Sequence, residues 1–290
     1  MKSVSERLEV LLQYAYPKGA MTAFAGRVAG WRGGTRTTSI IRWFVDKYGV
    51  DMSEAADPDI SHYATFNEFF TRELKPGARP LAQADLICPV DGAISQFGTV
   101  RGAQIFQAKG HDYSTTALLG GQEGLAAHFR DASFATLYLS PRDYHRVHMP
   151  CDGRLLRMIH VPGSLFSVNP ATARGVPGLF ARNERVVCEF ESPLGRFVLV
   201  LVGATIVGSM ATVWAGVVNS PRVPQVRQWH YDGPGDAPIE LKQGQEMGRF
   251  LLGSTVVMLF PKVPLTFSPS WEPGRAVSLG ETMADAARAA

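Results

Sequence analysis

Two textures of apolar spacing divide the chain near residue 86. Before it, apolar positions recur at helical intervals. Leu8, Leu11, Leu12 and Tyr16 follow a Ser3/Glu6 pair with capping-box spacing, and Pro17 stops the run. Residues 21–31 predict a second short helix carrying Phe24, Val28 and Trp31. Residues 39–48, with Ile40, Ile41, Phe44 and Val45, predict a third. Thr65 and Glu68 repeat the capping-box spacing and open a helix expected to run through Leu74, ahead of Pro76, Gly77 and Pro80. Beyond residue 86, short β-branched runs alternate with Gly, Pro and Asp turns: 92–100, 134–139, 153–161, 185–191, 197–202, 205–218 and 255–260. This spacing predicts a mostly antiparallel β core, interrupted by one helix near 114–119. The alanine-rich end, 284–290, is expected to fray. The expected fold class is α+β: residues 1–60 form an N-terminal helical region and residues 61–290 a β-rich domain.

The uncharged run from Phe197 to Val218 is long enough to cross a bilayer as a helix. Its valines and threonines, and the breaks at Gly203, Gly208 and Gly216, instead predict two buried strands turning near Gly203-Ala204. Any membrane association is then peripheral.

Composition is that of an ordinary globular chain: 290 residues, 46% apolar and 19% charged. The net charge of +3 gives no case for nucleic acid. Its distribution is more informative. Residues 1–36 hold Lys2, Arg7, Lys18, Arg27, Arg32 and Arg36 against Glu6 and Glu9, so the excess positive charge sits among the N-terminal apolar side chains. That pattern suits an anionic membrane surface, although such helices more often simply cover a core. Cys88, Cys151 and Cys188 have no paired spacing, so neither a disulfide framework nor a zinc site is expected. Arg7 and Glu9 interrupt the apolar start, so no secretory signal is expected either.

Taken singly, the candidates for chemistry have structural explanations. Asp91 precedes Gly92, a turn dipeptide, and Ser254 stands at a turn before an apolar run. His145 and His148 are three apart, which on a helix would put two imidazoles on one face, yet nothing nearby completes a metal set. Together, an Asp, a His and a Ser are the parts of an activated hydroxyl nucleophile. A serine is inert until a base takes its proton, and histidine can accept and return one near neutrality. No Gly-x-Ser-x-Gly elbow surrounds Ser254, which weakens an ordinary hydrolase reading.

Longer motifs carry a resemblance. They are Phe66-Asn67-Glu68-Phe69-Phe70-Thr71-Arg72-Glu73-Leu74-Lys75-Pro76, Pro89-Val90-Asp91-Gly92, the run from Tyr138 through Ser140-Pro141-Arg142-Asp143-Tyr144-His145-Arg146-Val147-His148 to Pro150, Leu165-Phe166-Ser167-Val168-Asn169-Pro170, Val202-Gly203-Ala204-Thr205, and Gly248 through Leu252-Gly253-Ser254-Thr255. From about Phe66 to Phe260 the chain resembles the bacterial phosphatidylserine decarboxylases, membrane-associated enzymes that make phosphatidylethanolamine. The resemblance implies self-cleavage between Gly253 and Ser254 by serinolysis, into chains 1–253 and 254–290. Ser254 would become a covalent pyruvoyl cofactor that forms a Schiff base with the substrate amine. Asp91 and His148 would complete the processing triad, Asp91 orienting the His148 ring. His145 would act in decarboxylation, as leading candidate for the proton donor, and no metal is implied. Ser167 and Asn169 are plausible headgroup contacts or a purely structural turn. A lipid substrate favours a membrane-facing role for the N-terminal helices, at the cytoplasmic face of the inner membrane, and a homodimer is the default assembly. The alternatives are a serine hydrolase using the same triad without self-cleavage, a soluble pyruvoyl decarboxylase of a free amino acid, and a non-catalytic lipid-binding module.

Overall fold

A computed structural model describes residues 11, 13–14, 17–108, 110–205, 209–220, 222–251 and 254–287. Leu11, Gln13 and Tyr14 are helical; the rest of the first expected helix lies outside the described residues. The second and third helices run Lys18–Ala29 and Thr35–Tyr48 and begin earlier than periodicity suggests. The fourth is shorter than expected. Thr65 caps it through a bond from the Glu68 amide, but it spans only Phe66–Phe70. Tertiary pairing stops it: the Ala56 amide bonds the Glu73 carbonyl and the Lys75 amide bonds the Glu54 carbonyl, which pulls the chain out of helix before Leu74.

Among the described residues nine strands form the main sheet, and every pairing in it is antiparallel. Its central order is Gly153–Val161, Arg185–Ser192, Gly195–Val202, Ser254–Leu259, Ser133–Leu139 and Gly92–Thr99. The strand Ser254–Leu259 is buried throughout. Side chains alternate across a strand, and here the two faces enter different cores. Val198, Val200, Val202, Val257 and Leu259 join one cluster with Ile41, Phe44, Phe66 and Phe70. Leu199, Leu201, Val256 and Met258 join the other with Val147, Met247, Phe250 and Met283. Burial on both faces explains why these strands read as continuous apolar runs rather than as alternation.

The second core is roofed by smaller sheets, one of which joins Met210–Thr212, Glu246–Phe250 and Arg146–His148. The run 205–218, expected as one strand, is broken: Met210–Thr212 and Gly216–Val217 pair antiparallel, with Gly216 at φ +64 at the reversal. Short helices at Glu123–Ala127, Pro170–Ala173 and Leu179–Arg182 accompany the expected one, found at Thr115–Leu118. The C-terminal end is not frayed through residue 286. Thr282–Ala286 pairs with both Leu86–Ile87 and Leu265–Phe267. All three cysteines are free and buried.

Candidate active site

One strand end gathers the residues the motifs single out. Ser254 lies opposite Leu139, the last residue of Ser133–Leu139. On the other edge of that strand Ala93 lies opposite Tyr138, which brings Asp91 to the same end. Gly92 is needed for this approach, because a Cβ there would lie 2.4 Å from the Tyr138 carbonyl oxygen. The chain leaving Leu139 turns at Ser140, whose amide donates to Asp143 Oδ2 at 2.6 Å, and delivers Tyr144, His145 and the strand Arg146–His148. Arg146 locks this segment to the helical motif: its Nε donates to the Thr71 carbonyl at 2.9 Å, and its Nη1 to Glu73 at 3.1 Å and Glu246 at 2.8 Å.

Ser254 is 1% exposed, and its hydroxyl has no hydrogen-bond partner among the described residues; the Thr255 hydroxyl is in the same position. A buried polar group left unpaired costs about 1–3 kcal/mol, so this serine is poorly explained as a packing residue. From Thr255 onward the strand is paired on both sides, with Tyr138 and Val202, whereas Ser254 is paired only with Leu139. The chain is therefore clamped just after Ser254. Gly253, the other half of the expected cleavage site, lies outside the described residues.

The two histidines have separate environments. His145 is fully buried. Its Nδ1 donates to the Asp143 carbonyl at 2.7 Å, its ring packs on Phe70 with centroids 4.1 Å apart, and its Nε2 has no partner among the described residues. Burial, helped by the nearby Arg72 charge, pushes its pKa down to about 3. The ring is neutral, and its Nε2 lone pair must first take a proton before it can give one. His148 lies on a strand, not a helix, so the two imidazoles do not share a helical face. No group of three or more His, Cys, Asp or Glu suited to a metal occurs among the described residues. Burial lowers the His148 pKa as well.

The expected Asp91–His148 bond is not made. His148 Nδ1 donates to the Gly244 carbonyl at 2.8 Å, and Nε2 faces the Tyr144 hydroxyl at 3.2 Å. Asp91 instead receives Arg79 Nε at 3.0 Å on Oδ1, Arg79 Nη2 at 2.7 Å on Oδ2, and the Leu279 amide at 2.8 Å on Oδ1. The same guanidinium grips Glu54 through Nη1 at 3.0 Å and Nη2 at 2.6 Å. The reason is geometric: a bidentate arginine and a backbone amide fill the carboxylate's acceptor directions.

Beside Asp91 and Tyr144 a cleft of about 240 Å³ opens toward Gly49, at the end of the helix Thr35–Tyr48, with Arg72 and Arg142 in its wall. Arg72 is 5% exposed, yet among the described residues its one hydrogen bond is a 3.5 Å contact to the Arg142 carbonyl, and its Nε has no partner there. Ser167 and Asn169 have visible local work. Asn169 caps the helix Pro170–Ala173 through a 2.8 Å bond from the Thr172 amide, and the Ser167 amide donates to Gln13 Oε1 at 3.0 Å. Sequence reading assigned no role to Tyr144, Arg72 or Arg79, although the first two stand inside the motifs. Gly244 carries no local signal at all.

A family model described as phosphatidylserine decarboxylase matches residues 66–285, and one described as PSD matches residues 8–49. A phosphatidylserine decarboxylase proenzyme of Variovorax paradoxus (strain S110) is 72% identical over 284 residues, covering 98% of this chain and 99% of the relative. One from Methylibium petroleiphilum is 72% identical over 281 residues, covering 97% and 98%. One from Dechloromonas aromatica is 68% identical over 280 residues, again covering 97% and 98%. With the family model spanning most of the chain and relatives this similar along nearly all of it, the chain belongs to the phosphatidylserine decarboxylase family.

Proposed function

We propose that this chain is a proenzyme that cuts itself between Gly253 and Ser254 and then converts phosphatidylserine to phosphatidylethanolamine. The observation that carries the reading is the Ser254 hydroxyl, buried and without a partner among the described residues, at the start of a strand clamped on both sides from Thr255 onward. In self-processing, His148 accepts the Ser254 proton at Nε2. The Ser254 oxygen attacks the Gly253 carbonyl, and an ester replaces the amide. Loss of the residue-254 α-proton expels the Gly253 carboxylate. Tautomerisation and hydrolysis then release ammonia and leave a pyruvoyl group at the new N-terminus.

A buried residue whose hydroxyl has no partner among the described residues and whose C-terminal neighbour is fixed fits such a covalent group. Bound there, a pyruvoyl group supplies an electrophilic ketone that acts as an electron sink, chemistry that no natural side chain offers. The chain's own residues do the rest. Phe70 and the Asp143 carbonyl hold the His145 ring, and its Nε2 is the atom assigned to take a proton and return it to the substrate carbon. Neutrality of that ring suits a site that must lose a carboxylate's charge. The partly unsatisfied Arg72 in the adjoining cleft is the natural partner for an anionic headgroup.

Residues 1–60 belong to this reading as a peripheral docking region at the cytoplasmic face of the inner membrane. No helix among the described residues is long and apolar enough to cross a membrane. Phe24, Trp31 and Trp43 are nonetheless 68%, 44% and 55% exposed, beside Arg27, Arg32, Arg42 and Lys47. Exposed aromatics rimmed by cations suit an anionic lipid surface.

The test is the denatured mass spectrum of the purified protein beside a Ser254→Ala variant. Two chains split after Gly253, the smaller one starting with a pyruvoyl group, and an intact variant are expected. A single intact wild-type chain in an active preparation would overturn the self-processing reading.

A further inference from the structure

His148 uses both ring nitrogens, and neither bond goes to a carboxylate. A carbonyl only accepts, so the 2.8 Å contact with Gly244 fixes the proton on Nδ1 and leaves the lone pair on Nε2. Tyr144 must then be the donor across the 3.2 Å contact. It is 6% exposed, and burial pushes its phenol well above the usual range, so it remains a protonated donor. The Gly244 carbonyl is itself held in place. Residue 244 sits at φ +79, its amide donates to the Met149 carbonyl at 2.9 Å, and a Cβ there would meet Leu81. The charged groups that act on the ring are Glu246, Arg146 and, most weakly, Asp91. The Asp91 oxygens are occupied by Arg79 and by Leu279, which belongs to the 254–290 segment that cleavage would make a separate chain.

We propose that Gly244 and Tyr144 are the positioning residues of the His148 base, and that Asp91 serves self-cleavage at one remove, by holding Arg79 and the Leu279 turn. Tyr144 occupies the lone pair that must receive the Ser254 proton, so its hydroxyl keeps the ring in one neutral tautomer and yields when Ser254 engages. The inference rests on His148 being the processing base, but it can be read on the ring itself, without any cleavage.

The experiment uses the full-length Ser254→Ala precursor with 15N-labelled histidine, His148 being assigned by a His148→Gln control. The ring should be the Nδ1–H tautomer, with a titration midpoint below 6.5. A hydroxyl that bonds only the neutral ring lowers its basicity, so Tyr144→Phe should raise the midpoint by about 0.5–1 pH unit. Asp91→Asn should keep the tautomer and move the midpoint by less than about 0.5 unit, because it removes only the weakest of the charges that act on the ring. An Nε2–H tautomer, no movement in Tyr144→Phe, or a fall of about 1 unit or more in Asp91→Asn would overturn the assignment. If Asp91→Asn does not fold, Tyr144→Phe, which removes a single oxygen, decides alone. Because Ser254→Ala cannot cleave, a failure of the processing reading shows in the mass spectrum and leaves this result intact.

Discussion

Burying His145 as a neutral ring should make the protein acid-sensitive by a calculable amount. The ring titrates at about 3 in the folded chain against 6.5 for an unhindered histidine. Between those values the unfolded chain binds a proton that the folded chain does not. Stability contributed by the neutral ring is therefore intact above the unfolded value and is lost as pH falls from 6.5 toward 3. At 1.36 kcal/mol per pH unit the full loss is about 5 kcal/mol, and about 2 kcal/mol of it should be gone at about pH 5. Denaturant unfolding of the Ser254→Ala precursor, a homogeneous uncleaved chain, measures this at about pH 8 and pH 5. His145→Phe keeps an apolar ring against Phe70 and removes the titration. The variant should lose about 2 kcal/mol less than its parent between the two conditions, and the contribution of His148, present in both, cancels. Equal losses, within about 0.5 kcal/mol, would mean that His145 takes up its proton freely and that burial does not hold it neutral.

Other expectations follow from single contacts. Gly92→Ala drives a methyl against the Tyr138 carbonyl oxygen at the strand end that carries the site, so it should destabilise by about 1–3 kcal/mol and slow self-cleavage, read by unfolding and by gel. Asp91→Leu removes one partner of a largely buried ion pair and should cost about 3–5 kcal/mol in the same unfolding assay; a cost under about 1 kcal/mol would mean the Arg79 clamp contributes little. The cleaved chains should co-elute under native conditions and part only in denaturant, because residues 255–259 are paired on both sides by strands of the larger piece. Phe24→Glu should weaken binding to vesicles containing anionic lipid by about tenfold or more, since each buried aromatic contributes about 1.5–3 kcal/mol; unchanged sedimentation would remove that helix from the docking surface.

Much of the architecture was legible along the chain, and the places where legibility failed share a cause. The strand at 153–161 was bounded correctly at both ends, and the other long strands of the main sheet fell within two residues, because β-branched runs between turn residues are a local signal. Glu246–Phe250 and Glu240–Leu241 were missed. They are short and carry charge, and they exist as strands only because a partner lies alongside. The helix from Phe66 stopped early for the same reason, since its continuation pairs with residues 54–56.

The site divides along the same line. Asp91, His145, His148 and Ser254 stand out as candidates from the sequence, because motif order and residue chemistry are written in it. Their partners do not. The His148 proton is placed by a carbonyl 96 residues away, and Asp91 is held by an amide 188 residues away and by an arginine shared with Glu54. Side-chain type sets which protons can move, and that much the sequence alone determined. Which acceptor each proton meets depends on strands brought together from distant parts of the chain, and only the tertiary structure decided it.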